Sequence, residues 1–319
     1  MTPTPVGSYR ANDTKEQPLL VRIVLALGAL PLKVRTALGA SAGFLFALLP
    51  TRDQRIAALQ INRFLPRTES ALPLVRQVYA EAGRNALGAL NLLPLLDTID
   101  CSDSIILERL KTERRPVLAL TAHLGPWDLL GAWLISQGIP VATIGRKARN
   151  PTLQKILTTI RARYGITTIW RDEERGMRRI IKYLRGGGLL AALIDQDTVV
   201  SSTSVPFFGH PARTPSGLVE LAQRCNALVV LTFIYRTPNG RHTIELKAVP
   251  EHADAEEVLQ TYSARLEELI RAYPAQWVWF HKRWRTRADG TRMSGEEYAA
   301  WLTEAGHVRG DNVSVGHRI

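Results

Sequence analysis

Cysteine is nearly absent from this chain: there are two, Cys101 and Cys225, in 319 residues. They lie far apart and without metal-ligand spacing, so the expectation is two structural thiols in a reducing compartment. No cluster of Cys and His suggests zinc or any other metal, no Walker-type glycine loop occurs, and no internal repeat is found. Negative charge is scarce as well. Asp and Glu number 29 against 41 Lys and Arg, a formal net charge of +12. Such an excess suits an anionic partner, whether nucleic acid, phospholipid headgroups or an acidic carrier protein. A diffuse solvated surface is the plainer alternative.

A long uninterrupted apolar run is also missing. Residues 1–18 are polar, lack the pattern of a signal peptide and are expected to be disordered. The next segment, 19–50, holds two apolar blocks, Ile23–Leu32 and Thr36–Pro50, around Lys33 and Arg35. Neither block reaches the roughly 20 residues needed to span a bilayer as a helix. A helical hairpin dipping into one leaflet, with its cations at the headgroups, fits the pattern; a pair of buried core helices is the alternative. Within it, "GASAG" (residues 39–43) matches the serine-hydrolase G-x-S-x-G. That motif works only in a strand-to-helix turn, and here it sits inside an apolar helix, where small residues four apart let helices approach. Ser41 is therefore rejected as a nucleophile.

What the chain does have is regular alternation. Helices are expected over 52–65, ended by Pro66, and over 72–96. Short apolar runs then alternate with amphipathic segments: strand 117–122, helix 126–137, strand 141–144, helix 151–164, strand 167–170, helix 173–184 and strand 189–194. A helix opened by "TPSG" (214–217), strands 228–235 and 243–249, and a long helix 255–273 follow. This order predicts an α/β domain, a layered and mostly parallel sheet flanked by helices, preceded by a membrane-associated helical segment. The expected divisions are 1–18, 19–50, an α/β domain at 51–290 and a polar tail at 291–319.

The candidate site is "LTAHLGPWDLLG" (120–131). Ligands of open α/β sheets sit beyond the carboxyl ends of strands, and His123 follows one. Gly125 permits the turn, Pro126 suits the first helical position, and Asp128 falls in the first helical turn. A turn this short can fold the carboxylate back onto the imidazole. Asp128 would then fix the tautomer while the other ring nitrogen takes a proton. No serine or cysteine lies nearby in sequence, so that proton is expected to come from a substrate hydroxyl. A turn histidine with no chemistry is the alternative.

The H-x-x-x-x-D spacing after a short apolar strand resembles the glycerolipid acyltransferase superfamily, and the fuller phrase is similar to its lipid A late acyltransferase family. Further pieces match in order: "LQINRFLP" (59–66), "GRKARNPTLQKILTTIRARYG" (145–165), "IDQD" (194–197), "SVPFFGHPARTPSGLVELAQRCNALVV" (204–230) and "PAQWVWFHKRWRTR" (274–287). The resemblance implies transfer of a fatty acyl chain from acyl carrier protein to a hydroxyl of a lipid A precursor, with His123 as base and Asp128 in support. No cofactor is implied, and no nucleic acid. It also implies a place on the cytoplasmic face of an inner membrane, against an anionic surface. A family arginine maps to Arg163 or Arg161 without a choice between them. Arg146, Asp195, Asp197, Gly125 and Trp127 are the remaining candidates for holding substrate or oxyanion.

In "QWVWFHKRWRTR", strand alternation would put Trp279, Arg283 and Arg285 on one side, suited to a headgroup boundary; an edge strand with solvated arginines is the alternative. His281 has no acidic neighbour in sequence and is not expected to be a base. Two departures stand out: Asp128 where close family members more often carry glutamate, and Ala288 where a proline is usual. Relatives on this fold acylate other acceptors, including phosphatidylinositol mannosides and aryl-polyene lipids, and these remain open. So do a thioesterase and a non-catalytic basic protein that binds membranes.

Overall fold

The computed structural model describes residues 18–65, 70–113 and 115–304. The expected disorder of 1–17, the helix stop at Pro66 and the last part of the tail lie outside these. The chain opens with helices α1 (Leu19–Ala26) and α2 (Leu32–Phe46), joined by a single 3₁₀ turn, then α3 (Arg52–Phe64), α4 (Leu72–Gly88) and the short α5 (Leu93–Leu96). The alternating part follows: β1 (Ile99–Cys101), α6 (Ser104–Thr112), β2 (Val117–Thr121), α7 (Trp127–Ser136), β3 (Val141–Gly145), α8 (Pro151–Arg163), β4 (Thr167–Trp170), α9 (Gly176–Arg185) and β5 (Leu189–Leu193). After it come β6 (Ser202–Phe207), β7 (His210–Pro215), α10 (Gly217–Arg224), β8 (Leu228–Arg236), β9 (His242–Ala248), α11 (Ala255–Ala272) and α12 (Gly295–Glu304).

Seven strands form one sheet in the order β1-β9-β8-β2-β5-β3-β4. The five from β8 to β4 are mutually parallel, and β9 runs antiparallel to β8 as the second arm of a hairpin. β2 lies at the centre, and all five of its residues are buried. Its side chains alternate between two cores: Leu118 and Leu120 join one apolar cluster with α3, α4, α10 and α11, and Val117 and Ala119 join another with α6 and α7. Burial on both faces is what makes parallel strands read as continuous apolar runs instead of alternating ones. The mixed sheet layered between helices agrees with the expected α/β class.

Three stretches differ from expectation. "SVPFFGHPARTP" forms the separate hairpin β6–β7, turned at Phe208 and Gly209, which both have positive φ. Phe207 and Phe208 are buried core. The segment after α11 is not a strand. It coils on itself, with Trp279 N–H donating to Trp277 O and Arg283 N–H to His281 O, while the Gln60 amide holds the carbonyls of both Trp279 and His281. Residues 295–304 form a helix with Tyr298 and Leu302 buried, so the polar tail contains a packed element.

The N-terminal segment is a bent pair of helices. Arg35 is not a headgroup cation: it is fully buried and donates to the carbonyls of Gly28, Leu30 and Asn91. Gly28 and Leu30 lie in the bend and Asn91 follows α4, so Arg35 ties carbonyls at two helix ends together. Among the described residues, no helix is long and apolar enough to cross a membrane. Gly39 and Gly43 of the "GASAG" stretch face Gly83 and Tyr79 of α4, and a Cβ at Gly39 would overlap the carbonyl oxygen of Gly83. The small residues thus set the close approach of α2 and α4, and Ser41 points outward, exposed. Gly39→Leu is therefore expected to destabilise the protein by about 1–3 kcal/mol through overpacking. Ser41→Leu should change stability by about 0.5 kcal/mol or less. Urea unfolding midpoints at a common slope check both.

Candidate active site

The site forms where β2 and β5 end side by side. Thr121 and Leu193 are paired in register, so the chain leaves both strands at one point, with His123 on one exit and Asp195 on the other. Asp195 is 1% exposed and accepts three N–H groups: Nδ1 of His123 (2.8 Å), the backbone N–H of His123 (2.9 Å) and Nε1 of Trp277 (2.9 Å). Burial alone would raise its carboxyl. The facing imidazole and the hydrogen bonds from His123 outweigh this and hold it well below the usual carboxylate range. An ionised acceptor at Nδ1 fixes the Nδ1–H tautomer and leaves the Nε2 lone pair as a base. The His123 side chain is 21% exposed, so a substrate can reach it.

The loop that carries His123 is clamped. Its carbonyl accepts from Val278 N–H and Gly125 N–H donates to Gln276 O, so residues 276–278 pair with 123–125. Gly125 has φ +59°, and a Cβ there would also overlap the carbonyl oxygen of Ile234. Glycine is thus required twice over, by conformation and by the close approach to β8. Trp127, opening α7, meets the His123 ring edge-on at 5.1 Å.

Asp128 departs from the expected role. Its Oδ1 accepts from Nε of Arg161 at 2.9 Å, while Nδ1 of His123 goes to Asp195. The left-handed Gly125 and Pro126 start α7 so that its first-turn carboxylate meets the last turn of α8, and the imidazole partner comes from the neighbouring strand. Arg161 lines the cavity beside Asp128, whereas Arg163 donates to Leu90 O. Of the two arginines, Arg161 faces the site.

The other candidates divide. Arg146 is exposed on the loop after β3. Asp197 accepts from Thr286 Oγ1 (2.8 Å) and ties down the C-terminal segment. The expected membrane-contact role of Arg283 and Trp279 is contradicted by burial, 1% and 0% exposed. Arg283 donates to Arg213 O and Thr214 Oγ1, and Trp279 donates to Pro274 O. Arg285 is half-buried, with Nε on Met293 O.

Two neighbours of the base were not expected. Gln196 lies against the His123 ring, and His281 stands 5.2 Å from it, centroid to centroid. Burial, with the charge of His123 adding to it, pushes His281 down to about 4. "IDQD" pointed to this strand end but to its aspartates only.

Beside the site lies a cavity of about 610 Å³ with mostly apolar walls. Gly125–Leu129 and Gln276–Val278 form its inner wall, and Val24, Leu32, Leu153 and Ile156 line it from α1, α2 and α8. His123 stands just behind this wall, between the two lining segments. Exposed apolar side chains surround the α1–α2 end, among them Leu19, Leu20, Ile23, Val34 and Leu38.

Asp195→Asn gives a sharp outcome, because all three of its partners donate. Placing the amide nitrogen at Oδ2 would oppose two N–H groups, so it turns toward Nδ1, which must then accept. The His123 proton moves to Nε2 and the base is lost. Nitrogen-15 NMR should show the tautomer switch in Asp195→Asn and none in Asp128→Asn. A second outcome concerns pH. His281 and His242 are both held at about 4, chiefly by burial, against an ordinary 6.5. The unfolded chain binds more protons between these values, so stability present above pH 6.5 is lost as pH falls toward 4. In urea titrations, His242→Asn should remove about half of that slope.

The chain matches the family model for bacterial lipid A biosynthesis acyltransferase over residues 12–286. It is 28% identical over 187 residues to a lipid A biosynthesis acyltransferase of Haemophilus influenzae, 58% of each chain. It is 26% identical over 197 residues to the lipid A biosynthesis myristoyltransferase of Escherichia coli, 60% of each. A phosphatidylinositol mannoside acyltransferase of Mycobacterium tuberculosis matches at 25% over 171 residues, 53% of this chain and 54% of the other. These alignments span a little over half the length of the curated relatives. Among solved structures, a 1-acyl-sn-glycerophosphate acyltransferase from Thermotoga maritima covers 77% of this chain and 99% of its own, at TM-score 0.37 and 14% identity. With the family model covering most of its length, this chain belongs to the bacterial lipid A biosynthesis acyltransferase family.

Proposed function

We propose that the protein transfers a fatty acyl chain from a thioester on acyl carrier protein to a hydroxyl of a lipid A precursor. The observation that carries this is the His123–Asp195 pair: a buried carboxylate on Nδ1 leaves Nε2 as an accessible base, beside an apolar cavity of lipid dimensions. No serine or cysteine nucleophile is needed, since the acceptor supplies the attacking oxygen. His123 Nε2 takes the hydroxyl proton as the oxygen bonds to the thioester carbon. The tetrahedral intermediate collapses with cleavage of the C–S bond, and the departing thiolate receives the proton from the imidazolium. Asp195 stabilises that imidazolium throughout. Arg161, fixed by Asp128 at the cavity wall, offers positive charge to an anionic part of a substrate.

The surroundings suit these substrates. Arg146 and Arg149 after β3, and Arg171 and Arg175 after β4, are exposed at the carboxyl edge of the sheet, where an acidic carrier would approach. The exposed apolar side chains of α1 and α2 support partial insertion into one leaflet, which in this reading belongs to the cytoplasmic face of an inner membrane. A lipid tail would then pass sideways into the cavity. A phosphatidylinositol mannoside type of acceptor is the second reading, supported by the mycobacterial relatives; both acceptors join a sugar and a phosphate to lipid tails.

Purified protein, given acyl carrier proteins of several chain lengths and both acceptor classes in anionic vesicles, should yield an acceptor heavier by one acyl group in mass spectra. His123→Ala should lower that rate by about 10²–10⁴-fold while keeping its fold and its flotation with the vesicles. Transfer unaffected by His123→Ala, or free fatty acid as the sole product, would sink the reading.

A further inference from the structure

Gln196 follows Asp195 at the end of β5 and is half-buried. Its Nε2 lies 3.1 Å from Nε2 of His123 and 3.3 Å from Nδ1. A group in line with the Nε2 lone pair would be far closer to Nε2 than to Nδ1. Near-equal distances therefore put the amide nitrogen over the face of the ring, at its N–C–N edge. The in-plane lone pair stays open to a hydroxyl.

The same amide nitrogen lies 2.8 Å from Nε2 of His281. A primary amide has two hydrogens in fixed directions. One is engaged by Nε2 of His281, which leaves the second for another acceptor near the imidazole. The anchor is itself held: the His281 carbonyl accepts from the Gln60 amide at 2.9 Å, and Gln60 Oε1 accepts from the Tyr298 hydroxyl at 2.7 Å. Neutral His281 is the state in which Nε2 can accept, and burial maintains it at neutral pH.

We propose that Gln196 is a catalytic residue of the acyl transfer, its His281-anchored amide donating an N–H to the oxyanion that forms on the acyl carbonyl. This rests on the acyl-transfer reading above. The attacking hydroxyl must lie in the imidazole plane at Nε2, and the carbonyl oxygen that gains charge projects out of that line. A donor placed over the ring, not in its plane, is in the right sector. The donor is also neutral, and so opposes the imidazolium forming on His123 far less than a guanidinium would. Tethering by His281 means that little reorganisation is needed as the charge develops. Arg161, the alternative donor, has its Nε on Asp128. The balance is that of a simple transfer: the hydroxyl proton goes to His123, the C–O bond forms, the charge rests on the carbonyl oxygen, and loss of the thiolate restores the carbonyl.

The test is steady-state kinetics of Gln196→Ala, Gln196→Glu and His281→Ala beside wild type and His123→Ala, with the His123 tautomer followed by nitrogen-15 NMR. Gln196→Ala should lower kcat by about 10²–10³-fold, with KM for donor and acceptor unchanged and the Nδ1–H tautomer retained. Gln196→Glu keeps the shape but replaces the donor with an acceptor, and should fall at least as far. His281→Ala should match Gln196→Ala, and the double variant should lose little more, because the two act as one unit. A kcat for Gln196→Ala within about threefold of wild type, an effect on KM alone, or a changed tautomer would overturn the role. An unaffected Gln196→Ala beside an inactive His123→Ala removes this inference alone. A wild type that transfers no acyl group to any acceptor removes the underlying reading with it.

Discussion

One buried carboxylate organises this molecule. Asp195 collects N–H groups from the loop after β2 and from the segment after α11, while its own backbone leaves β5. Three distant stretches of sequence are thereby held to one another at a single point. A buried anion is costly unless it is well satisfied, and three donors with no competing acceptor are what make this one tolerable. The same bonds that make the charge stable also set the tautomer of His123. Structural and chemical demands are therefore met by one arrangement, and neither can be relaxed alone.

Around that point the fold divides the work. The central sheet, buried on both faces, aligns the ends of β2 and β5 so that backbone register determines the distance between imidazole and carboxylate. The coiled segment 276–284 closes the site from the far side, with its tryptophans packed inward and Gln60 holding its carbonyls. The apolar cavity lies between this closure and the first helices. Most of the surface lining that space is apolar, with Arg84, Asp128, Arg161 and Arg236 among the polar side chains in its wall.

Much of this was legible from residue order. Runs such as "VLALT" and "LLAAL" announce buried parallel strands, and His123 after the first of them marks the site. The glycine and proline of "HLGPWD" announce the turn. What could not be read was pairing across the sheet. Asp128, five residues from His123, is a natural partner for anyone reading along the chain, yet strand register brings Asp195 to the imidazole from 72 residues away. His281 was set aside because no acid lies near it in sequence, although it stands against His123 in space. The "QWVWFHKRW" segment misleads for a related reason: its alternation suggests a strand, but side-chain bonds from Gln60 fold it into turns.

The bend between α1 and α2 is held by Arg35, whose Nη1 and Nη2 donate to the protein's own carbonyls. Its shape therefore does not wait on lipid. A bilayer that accepts this region would receive a finished wedge rather than a strand of chain that must order itself on arrival. Little ordering entropy would then be lost on contact, and the strength of any such contact would follow from the exposed hydrocarbon area together with the basic charge beside it.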